Sequence, residues 1–585
     1  MTQTTSPSTY SNRPWVKHYD AGIPETLTYP AVPLHHFLRQ MAQKRPQAPA
    51  LLSTAKLPVI GRLTSRMTYG ELDQSSDAFA AALIASGLKK GERVAIIMPN
   101  CAAFAIVFYG ILKAGGVVAA NNPTYPPDKM AHQIADSGAE IAVTLSLFYK
   151  TIKEIQPQTP LKKVIVASIK EYLPPLARVL FTLAREKKEG HFIESLGAND
   201  AWLQDLLKQY RGQSPQVDVK PDDLAIFQYT GGTTGVAKAA VAQHKALVAN
   251  MIQMDAYVKI LGMPTDQHIY LGAIPMFHVY GLVVLISSSV YQGSQIVLIP
   301  NARDINEVVD CIDFYKPTLF PGVPALYNAI NNHPRVMSGE VSLKSLKFCF
   351  SGSAPLPSAT KQEFERLSGS SLREGFGMSE APTATHVNPV TREPKAGSVG
   401  LPLPDMDMRI VSLDDGVTDV PVGDIGELII SGPNIMMGYH QMPTETANTL
   451  RESGGKHWLY TGDIARMDED GYFYIVDRKK DMALIGGFNV YPTVVEDVIK
   501  SHPAVLEVGV AAVPHPTKEG QEALKAWVVL KPDGKVTEEE LIKHCGTKLA
   551  PYEVPRRIVF IAELPKTAIG KTLRRELIRL EVEHK

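Results

Sequence analysis

Short apolar segments recur along most of this chain and alternate with segments of helical periodicity. They include RVAIIMP and EIAVTLS in the first third, and LAIFQYT, YLGAIPM, SQIVLIP, PTLFPGV and KFCFSGS around and after Asp223. Apolar runs without polar alternation are typical of strands that are buried on both faces. Buried strands separated by helices predict an α/β class of fold, and the chain is long enough for two to four structural units.

The pattern changes twice, which predicts the domain boundaries. Residues 1–30 look irregular and partly mobile, and residues 31–220 and 221–394 form two predicted α/β subdomains. Between 395 and 476 the strand-like segments DMRIVSL, GELIISG and GYFYIVD are separated by turns, which predicts a small β-barrel-like unit. Beyond the charged stretch from Asp477 to Asp481, residues 481–585 read as a small α+β domain.

The stretch from Ala102 to Ala120, AAFAIVFYGILKAGGVVAA, is the one that resembles a membrane span. Gly115 and Gly116 divide it, and its first part would be a helix of roughly 20 Å, shorter than the roughly 30 Å hydrocarbon layer. We therefore predict a buried helix followed by a buried strand.

Composition excludes several classes of function. The 60 basic and 60 acidic residues balance, so no overall positive field favours nucleic acid as a partner. The four cysteines are far apart, with no CxxC pair, which argues against a zinc site or a disulfide framework. Because the first residues also lack the apolar core of a signal peptide, a cytoplasmic protein is expected.

The segment QYTGGTTGVAK, from Gln228 to Lys238, has the parts of a phosphate-binding loop. Glycines allow close approach of the backbone to a ligand, while backbone N–H groups and threonine hydroxyls donate to an anion. Lys238 adds a positive charge, but the spacing is not that of a Walker A motif. The late GKT sequence at Gly570 is no Walker A motif either, since Pro565 stands where its first glycine belongs. A flexible surface loop is the alternative on this segment alone.

Eight further motifs follow this loop in a characteristic order. They are PMFHVYG, FPGVPALY, SGSAPL, EGFGMSE, GELIISGPNIMMGY, YTGD, DRKKDMALIGGFNVYP and LPKTAIGKTLRREL. With the loop, they resemble the adenylate-forming superfamily of acyl-CoA synthetases over roughly residues 30–580. The sequences YTGGTTGVAK, DRKKDM and GFNVYP are most similar to those of bacterial long-chain fatty acid–CoA ligases.

The resemblance implies a two-step reaction with ATP and CoA as cosubstrates and Mg²⁺ as cofactor. A carboxylate first attacks the α-phosphate of ATP, and the CoA thiol then displaces AMP from the acyl-adenylate. Lys571 would bridge carboxylate and α-phosphate as the main catalytic residue. Glu380 would be the magnesium ligand, with Thr230 as a further candidate ligand and catalytic group. A carboxylate, a hydroxyl and phosphate oxygens suit this hard cation.

The resemblance also implies the nucleotide site. Phosphate contacts would come from Tyr229, Thr230, Gly231, Gly232, Thr233, Thr234, Gly235 and Lys238. The adenine and α-phosphate would lie against Gly352, Ser353, Ala354, Glu374, Gly375, Phe376 and Ser379. The ribose would be held by Asp463 and Arg478. Many relatives have threonine in place of Ser379, which keeps the hydroxyl.

Further expectations concern the second step and the acid. The large domain would span 31–476 and residues 477–480 would form a hinge at Lys480, about which a mobile C-terminal domain rotates. Gly486 and Gly487 would then line the CoA tunnel. Some relatives have a lysine four residues after the hinge, but Leu484 stands there in this chain. His278 and Val323 would line the acyl pocket, although a satisfied core histidine is the alternative for His278.

The sequence leaves the partners and the exact substrate open. Leu176, Val179, Leu180 and Leu183 form one stripe of a predicted basic helix, with Arg178, Thr182 and Arg185 opposite. Such a helix fits either peripheral contact with the inner face of a membrane or ordinary packing. The resemblance is compatible with a homodimer. Alternatives to a long-chain fatty acid ligase are a synthetase for aryl or branched acids, a fatty acyl-AMP ligase that loads a carrier protein, and an inactive nucleotide-binding lipid-uptake scaffold.

Overall fold

The computed structural model describes residues 9–57, 60–230, 237–485, 488–515, 522–566 and 572–583 of the 585-residue chain. The α-helices are α1 (His36–Lys44), α2 (Tyr69–Ala85), α3 (Ala102–Lys113), α4 (Pro127–Ser137), α5 (Tyr149–Ile155), α6 (Pro175–Ala184), α7 (Leu203–Gln209), α8 (His244–Lys259), α9 (Ser288–Gln292), α10 (Ile305–Tyr315), α11 (Pro324–Asn331), α12 (Pro334–Met337), α13 (Ser358–Ser368), α14 (Pro443–Thr449), α15 (Pro492–Lys500), α16 (Glu538–Gly546) and α17 (Arg574–Glu583). Short 3-10 helices cover Thr9–Asn12, Pro14–His18, Ser146–Phe148, Gln156–Gln158, Ile169–Tyr172 and Thr265–Gln267, and a π-helix covers Gly281–Ser287.

The strands are β1 (Pro49–Leu57), β2 (Gly61–Thr68), β3 (Arg93–Ile97), β4 (Val117–Asn121), β5 (Ile141–Leu145), β6 (Lys163–Ala167), β7 (Ala201–Trp202), β8 (Leu224–Tyr229), β9 (Ala239–Gln243), β10 (Ile269–Gly272), β11 (Gln295–Leu298), β12 (Leu319–Gly322), β13 (Phe348–Ser351), β14 (Ser371–Met378), β15 (Ala381–Val387), β16 (Leu401–Pro402), β17 (Asp407–Val411), β18 (Gly426–Ser431), β19 (Gly438–Tyr439), β20 (Leu450–Ser453), β21 (Lys456–Met467), β22 (Phe473–Arg478), β23 (Ala483–Ile485), β24 (Phe488–Val490), β25 (Val505–Pro514), β26 (Glu522–Leu530) and β27 (Arg557–Phe560).

Two large, mostly parallel sheets form the body of the protein. The first has the order β19-β9-β8-β4-β3-β5-β6-β7, and the second has the order β16-β15-β14-β13-β12-β10-β11-β1-β2. Helix α3 contacts β3 and β4 of the first sheet and β1 of the second, while α8 contacts β9 and β15. Both helices are therefore buried between the sheets, which confirms the predicted α/β class.

The predicted boundary at residue 220 does not separate these two sheets. Strands β1 and β2 precede it but extend the second sheet, where β1 pairs with β11. Strands β8 and β9 follow it but belong to the first sheet, where β8 pairs with β4. The boundary fails because sheet membership depends on pairing between strands that are far apart in sequence.

The residues after 395 form smaller units, as their short strand-like segments and turns predicted. Strands β17, β18, β20, β21 and β22 make a five-stranded antiparallel sheet in the predicted β region. The C-terminal part combines the three-stranded sheet β25-β26-β27 with α15, α16 and α17 and has its own apolar core. Strand β19, however, leaves the β region to pair with β9 of the first sheet.

The described part of the N-terminal segment is irregular but packed. Trp15 is fully buried and its ring lies 6.0 Å from that of Phe473. Arg13 pairs with Asp407, and the Asp20 carboxylate accepts hydrogen bonds from Val390 and Thr391. Residues 9–30 are therefore irregular, as predicted, and are held against the rest of the protein by aromatic and charged side chains.

The apolar stretch at 102–120 is a buried helix, α3, followed by a buried strand, β4, as predicted. Among the residues described, none of the helices is both long and apolar enough to cross a bilayer.

Candidate active site

Residues predicted for substrate binding follow the carboxyl ends of strands in both large sheets. Thr230 follows β8, His278 lies beyond β10, Val323 follows β12 and Gly352 follows β13. In open α/β sheets, ligands bind in the crevice outside the carboxyl ends of the strands. The described residues therefore place the candidate site where this fold favours one.

The glycine-threonine segment joins two antiparallel strands, β8 and β9. The backbone N–H of Thr230 donates to the carbonyl oxygen of Lys238 over 2.8 Å, so the ends of the loop are held together. Before it, the Tyr229 hydroxyl donates to Asp136 over 2.8 Å, which fixes the end of β8. The predicted phosphate-binding residues Gly231, Gly232, Thr233, Thr234 and Gly235 lie outside the described residues.

Glu380 stands in the turn between β14 and β15 and faces the end of this loop through one tyrosine. The Tyr439 hydroxyl donates to Glu380 Oε1 over 2.8 Å, and the Lys238 Nζ lies 5.1 Å from the centre of the Tyr439 ring. The backbone N–H of Met436 donates to the Glu380 carbonyl. Strand β19 places Tyr439 there by pairing with β9. One carboxylate, one ammonium and one phenol thus meet at the mouth of the loop.

Asp463 and Arg478 are brought together by the antiparallel strands β21 and β22, in which they are direct partners. Arg478 Nε lies 2.9 Å from Asp463 Oδ1, and Asp463 raises the pKa of the guanidinium. Asp463 is only 1% exposed, yet its Oδ2 has no hydrogen-bond partner among the described residues. A buried carboxylate oxygen without a donor is costly, so this atom is set up to accept hydrogen bonds from a ligand.

The residues from Glu374 to Ser379 form the end of β14 and the following turn. At Gly375, a Cβ atom would lie 2.3 Å from Phe350 Cζ, so glycine leaves the room that the Phe350 ring occupies. Burial raises the pKa of the Glu374 carboxyl to about 8, against a hydrogen bond from the backbone of Leu356 that lowers it. Phe376 packs against His386, with ring centres 5.7 Å apart.

The segment from Gly352 to Ala354 makes a sharp turn after β13. Ser353 has a φ of +72°, in the left-handed region that non-glycine residues seldom adopt. Such backbone strain occurs preferentially at binding sites. The Tyr280 hydroxyl donates to the Phe350 carbonyl over 2.9 Å and supports the strand just before this turn.

His278 and Val323 lie on either side of Tyr280. The Tyr280 backbone N–H donates to His278 Nδ1, and its hydroxyl contacts the carbonyl of Gly322, the residue before Val323. Burial lowers the pKa of His278 to about 4, so the ring is neutral near pH 7. Behind these residues is an apolar cavity of about 30 Å³ whose lining includes Met254, Tyr270, Val284, Phe320 and Phe350.

The predicted hinge is a tight turn that both domains contact. Lys480 is exposed and follows Lys479, whose side chain pairs with Glu427 at 2.8 Å and whose N–H donates to Gly462. Leu484 is exposed, as suits a residue that replaces a lysine. The predicted CoA-contacting Gly486 and Gly487 and the predicted catalytic Lys571 lie outside the described residues.

Two residues of the site went unnoticed in the sequence. Tyr439 ends the GELIISGPNIMMGY motif, but a tyrosine after a single glycine carries no signal of a polar contact. Arg574 had no predicted role, yet it bonds Asp477, Asp481 and Glu496 at 2.9–3.1 Å. The run of charged residues around Lys480 is the signal that could have identified the acidic partners of Arg574.

Comparison with known proteins agrees with this geometry. The AMP-binding enzyme family matches residues 38–440, and the family of AMP-binding enzyme C-terminal domains matches residues 494–571. The long-chain-fatty-acid–CoA ligase of Bacillus subtilis (strain 168) is 37% identical over 98% of this chain and 99% of its own length. The ligase of the same name from Escherichia coli O157:H7 is 36% identical over 96% of this chain and 97% of its own.

Solved structures show the same architecture. The crystal structure of ATP-bound MatB from Rhodopseudomonas palustris superposes with a TM-score of 0.79 at 26% identity and covers 94% of this chain and 99% of its own. A fatty acyl CoA synthetase from Mycobacterium tuberculosis has a TM-score of 0.69 at 25% identity, with coverage of 94% and 99%.

Proposed function

Because this chain belongs to the AMP-binding enzyme family, we propose that it is an ATP-dependent ligase that joins long-chain fatty acids to CoA. In the first step a carboxylate oxygen attacks the α-phosphorus of ATP and pyrophosphate leaves. In the second step the CoA sulfur attacks the acyl carbon, the thiol proton is released, and AMP leaves with the oxygen that came from the acid. The full-length similarity to long-chain-fatty-acid–CoA ligases supports this choice of substrate.

The observation that carries the proposal is the buried, unpartnered Oδ2 of Asp463. Arg478 holds the other oxygen at 2.9 Å, which fixes the carboxylate in one orientation. A fixed carboxylate with free lone pairs is the acceptor that two ribose hydroxyls require, as in other nucleotide sites. In this proposal, ATP binding removes the energetic cost of leaving that oxygen without a donor.

The phosphates of ATP are proposed to bind between Thr230 and Lys238. The Thr230–Lys238 backbone hydrogen bond holds the two ends of this segment together, and the Lys238 ammonium is proposed to bind the anion. Gly231 to Gly235 supply backbone donors by resemblance. Adenine is proposed to lie against Gly352, Ser353 and Ala354 on one side and against the β14 segment, Glu374 to Phe376, on the other, with the Ser379 hydroxyl near the α-phosphate.

The donor set beside the loop fits Mg²⁺. Glu380 offers an anionic oxygen held by Tyr439, Thr230 offers a hydroxyl, and the described residues hold no cluster of three or more His, Cys, Asp or Glu ligands. A cation that keeps waters and takes phosphate oxygens needs no larger cage of protein ligands. When bound by Glu380 and Thr230, Mg²⁺ would neutralise charge on the phosphates.

The acid is proposed to enter with its carboxylate near Gly352 and its chain directed past His278 and Val323. The neutral His278 ring does not compete with Lys571 for the carboxylate. The apolar cavity behind Tyr280 is the start of the acyl site. At about 30 Å³ it is far too small for a long acyl chain, so we infer that such a chain displaces the lining side chains.

The second step is proposed to follow rotation of the C-terminal domain about Lys480. Lys571 acts in the first step, and the Gly486–Gly487 segment then lines the path of the CoA pantetheine. Because ATP and CoA are its cosubstrates, we place the reaction in the cytoplasm, where the four buried cysteines remain thiols. Assembly as a homodimer is compatible with this scheme but not required by it.

The experiment is to incubate the full chain with ATP, Mg²⁺ and CoA and a panel of acids from acetate to C18, with benzoate and a cinnamate included. We expect acyl-CoA, AMP and pyrophosphate, with kcat/KM highest at about C12–C18. Each buried CH₂ contributes roughly 0.8 kcal/mol, or about fourfold. A maximum at acetate, benzoate or cinnamate would refute the long-chain assignment, and ADP as the product would refute the reaction.

A further inference from the structure

Helix α6 presents its apolar side to solvent. Leu176, Val179, Leu180 and Leu183, here named the α6 outer face, are between 40% and 80% exposed. At 3.6 residues per turn they occupy one half of the helix. A surface helix normally turns such a stripe toward the core, and a contiguous exposed apolar patch marks an interaction site. The packing alternative that the sequence left open for this stripe is therefore wrong.

The opposite face of α6 fixes the helix in this orientation. Ala177 is buried, and the Arg178 guanidinium donates to the carbonyls of Lys170 and Glu171 over 3.0 and 2.6 Å. The Phe181 ring packs against His191, which in turn hydrogen-bonds Ser146. Since these contacts hold α6 from within, the outward direction of the leucines is a property of the fold, and substitutions there leave its anchoring intact.

Positive charge borders the α6 outer face. Helix α6 contains no acidic residue, and Arg185, Lys187 and Lys188 follow its last turn as exposed side chains. The nearby acids are matched: Glu171 pairs with Arg178, Glu186 with Lys170, and Glu189 with Arg185. Lys187 and Lys188 are thus the surplus charge of the segment. Two further exposed apolar residues, Leu147 and Phe192, flank the same turn.

We propose that the α6 outer face docks on an anionic lipid bilayer. The four aliphatic side chains enter the boundary between headgroups and acyl chains, and Arg185, Lys187 and Lys188 contact lipid phosphates. A ten-residue helix is about 15 Å long, which suits a position in the plane of the interface and is too short to span. Membrane docking goes beyond the proposed function. A role of docking in collecting long-chain acids from the bilayer, however, rests on the proposed function.

The size of the surface favours lipid over a second copy of the chain. One face of α6 covers about 15 Å by 10 Å, whereas a standard protein interface buries roughly 800 Å² on each partner. A bilayer needs no matching surface and supplies the anionic groups that the basic border requires.

The first test is co-sedimentation of the full chain with vesicles, without nucleotide. Wild type is expected to bind vesicles of phosphatidylglycerol and phosphatidylethanolamine, and Leu180→Glu/Leu183→Glu to bind at least about tenfold more weakly. The matched control is Met337→Glu/Val417→Glu, which adds the same charges at two exposed apolar sites elsewhere. Equal binding of wild type and the Leu180/Leu183 variant would overturn the proposal.

The second test concerns charge. Lys187→Glu/Lys188→Glu should weaken binding to the anionic vesicles, unlike Lys344→Glu/Lys347→Glu, and phosphatidylcholine vesicles should bind wild type poorly. If both lysine double variants lose vesicle binding equally, the basic residues beside α6 have no specific role in binding. If wild type without lipid is a dimer that Leu180→Glu/Leu183→Glu converts to monomers, the surface is an interface between copies and the proposal fails.

Vesicle binding and catalysis are scored separately. Turnover of a soluble medium-chain acid should be unchanged in Leu180→Glu/Leu183→Glu, while turnover of palmitate supplied in vesicles should fall. Vesicle binding without turnover of any acid would refute only the proposed function. Turnover without vesicle binding would refute only the docking surface.

Discussion

At the scale of single residues, the proposed recognition of ATP depends most on Asp463. Asp463→Asn keeps the shape but replaces one acceptor oxygen by a donor and removes the charge that faces Arg478. Charge-assisted hydrogen bonds contribute about 1.5–3 kcal/mol, so the KM for ATP should rise by about 10–100-fold. Steady-state kinetics with varied ATP measure this.

The control for Asp463→Asn is Asp424→Asn, which makes the same change at an exposed position just before β18. It should leave the KM for ATP within about twofold, because surface substitutions away from a site have small effects. If both variants change the KM equally, or if Asp463→Asn changes only the KM for the acid, then Asp463 does not hold the ribose.

Glu374 gives a pH-dependent prediction. Its pKa is about 8 in the folded protein against an ordinary 4.5, so between these values the unfolded chain loses a proton that the folded chain keeps. Stability contributed by this group is therefore lost as pH rises through that window, by at most about 1.4 kcal/mol per pH unit. Glu374→Gln does not titrate and should be free of this loss.

Urea unfolding of wild type and Glu374→Gln at pH 5, 6, 7 and 8 checks this sign. The stability of wild type relative to the variant should fall steadily with pH. The partly exposed Glu363, which pairs with Arg366, provides the control Glu363→Gln, whose difference from wild type should stay nearly constant between pH 6 and 8. Parallel curves for wild type and Glu374→Gln would show that Glu374 is ionised in the folded protein.

Lys571 should separate the two half-reactions. Loss of a group that neutralises developing charge typically costs on the order of 3–4 kcal/mol, so Lys571→Ala should slow adenylation about 10²–10³-fold. Conversion of synthetic acyl-adenylate and CoA to thioester should stay near normal, because the proposed rotation would move this residue away. Pyrophosphate exchange and thioester formation measure the two steps. The control is Lys566→Ala, at a lysine that pairs with Glu507. Equal slowing of both steps in Lys571→Ala would refute the proposal that Lys571 acts in adenylation alone.

At the scale of elements, Arg574 connects the start of α17 to the hinge. Its guanidinium reaches Asp477 before Lys480 and Asp481 after it, as well as Glu496 on α15. Arg574→Met leaves these carboxylates without their cation. Removing one partner of a buried pair costs about 3–5 kcal/mol, and with the slight exposure of Arg574 we expect about 2–3 kcal/mol.

This loss should appear as faster hydrogen exchange and proteolysis of residues after 480, with the large domain unchanged. The neighbouring Arg575 is exposed, so Arg575→Met should change the stability by less than about 0.5 kcal/mol. Similar exchange in the two variants would mean that Arg574 does not connect these elements.

The elements also show what sequence reasoning can reach. Strands such as β3, β10 and β13 were predicted because their apolar runs are continuous, and α3 because glycines end it. Strand β9, AAVAQ, has weak strand propensity and forms through its pairing with β8. For α6, periodicity predicted the stripe of leucines but not its outward direction, since the direction depends on what Arg178 and Ala177 contact.

At the scale of the whole molecule, the site combines residues from three sheets and the hinge. Each motif was identifiable in the sequence through the family it resembles, but the distances between motifs were not. Pairing of β19 with β9 brings Tyr439 to Glu380, and pairing of β21 with β22 brings Arg478 to Asp463. Both contacts depend on long-range strand register, which short-range patterns do not encode.

In the proposed reaction, the acid is activated by bonding one of its own oxygens to the α-phosphorus of ATP. The most direct measurement is isotope transfer: palmitate labelled with ¹⁸O in both carboxylate oxygens is converted with ATP, Mg²⁺ and CoA, and the products are analysed by mass spectrometry. We expect one ¹⁸O in the phosphate of each AMP and one in each thioester carbonyl. Unlabelled AMP, or label in inorganic phosphate formed together with ADP, would contradict it.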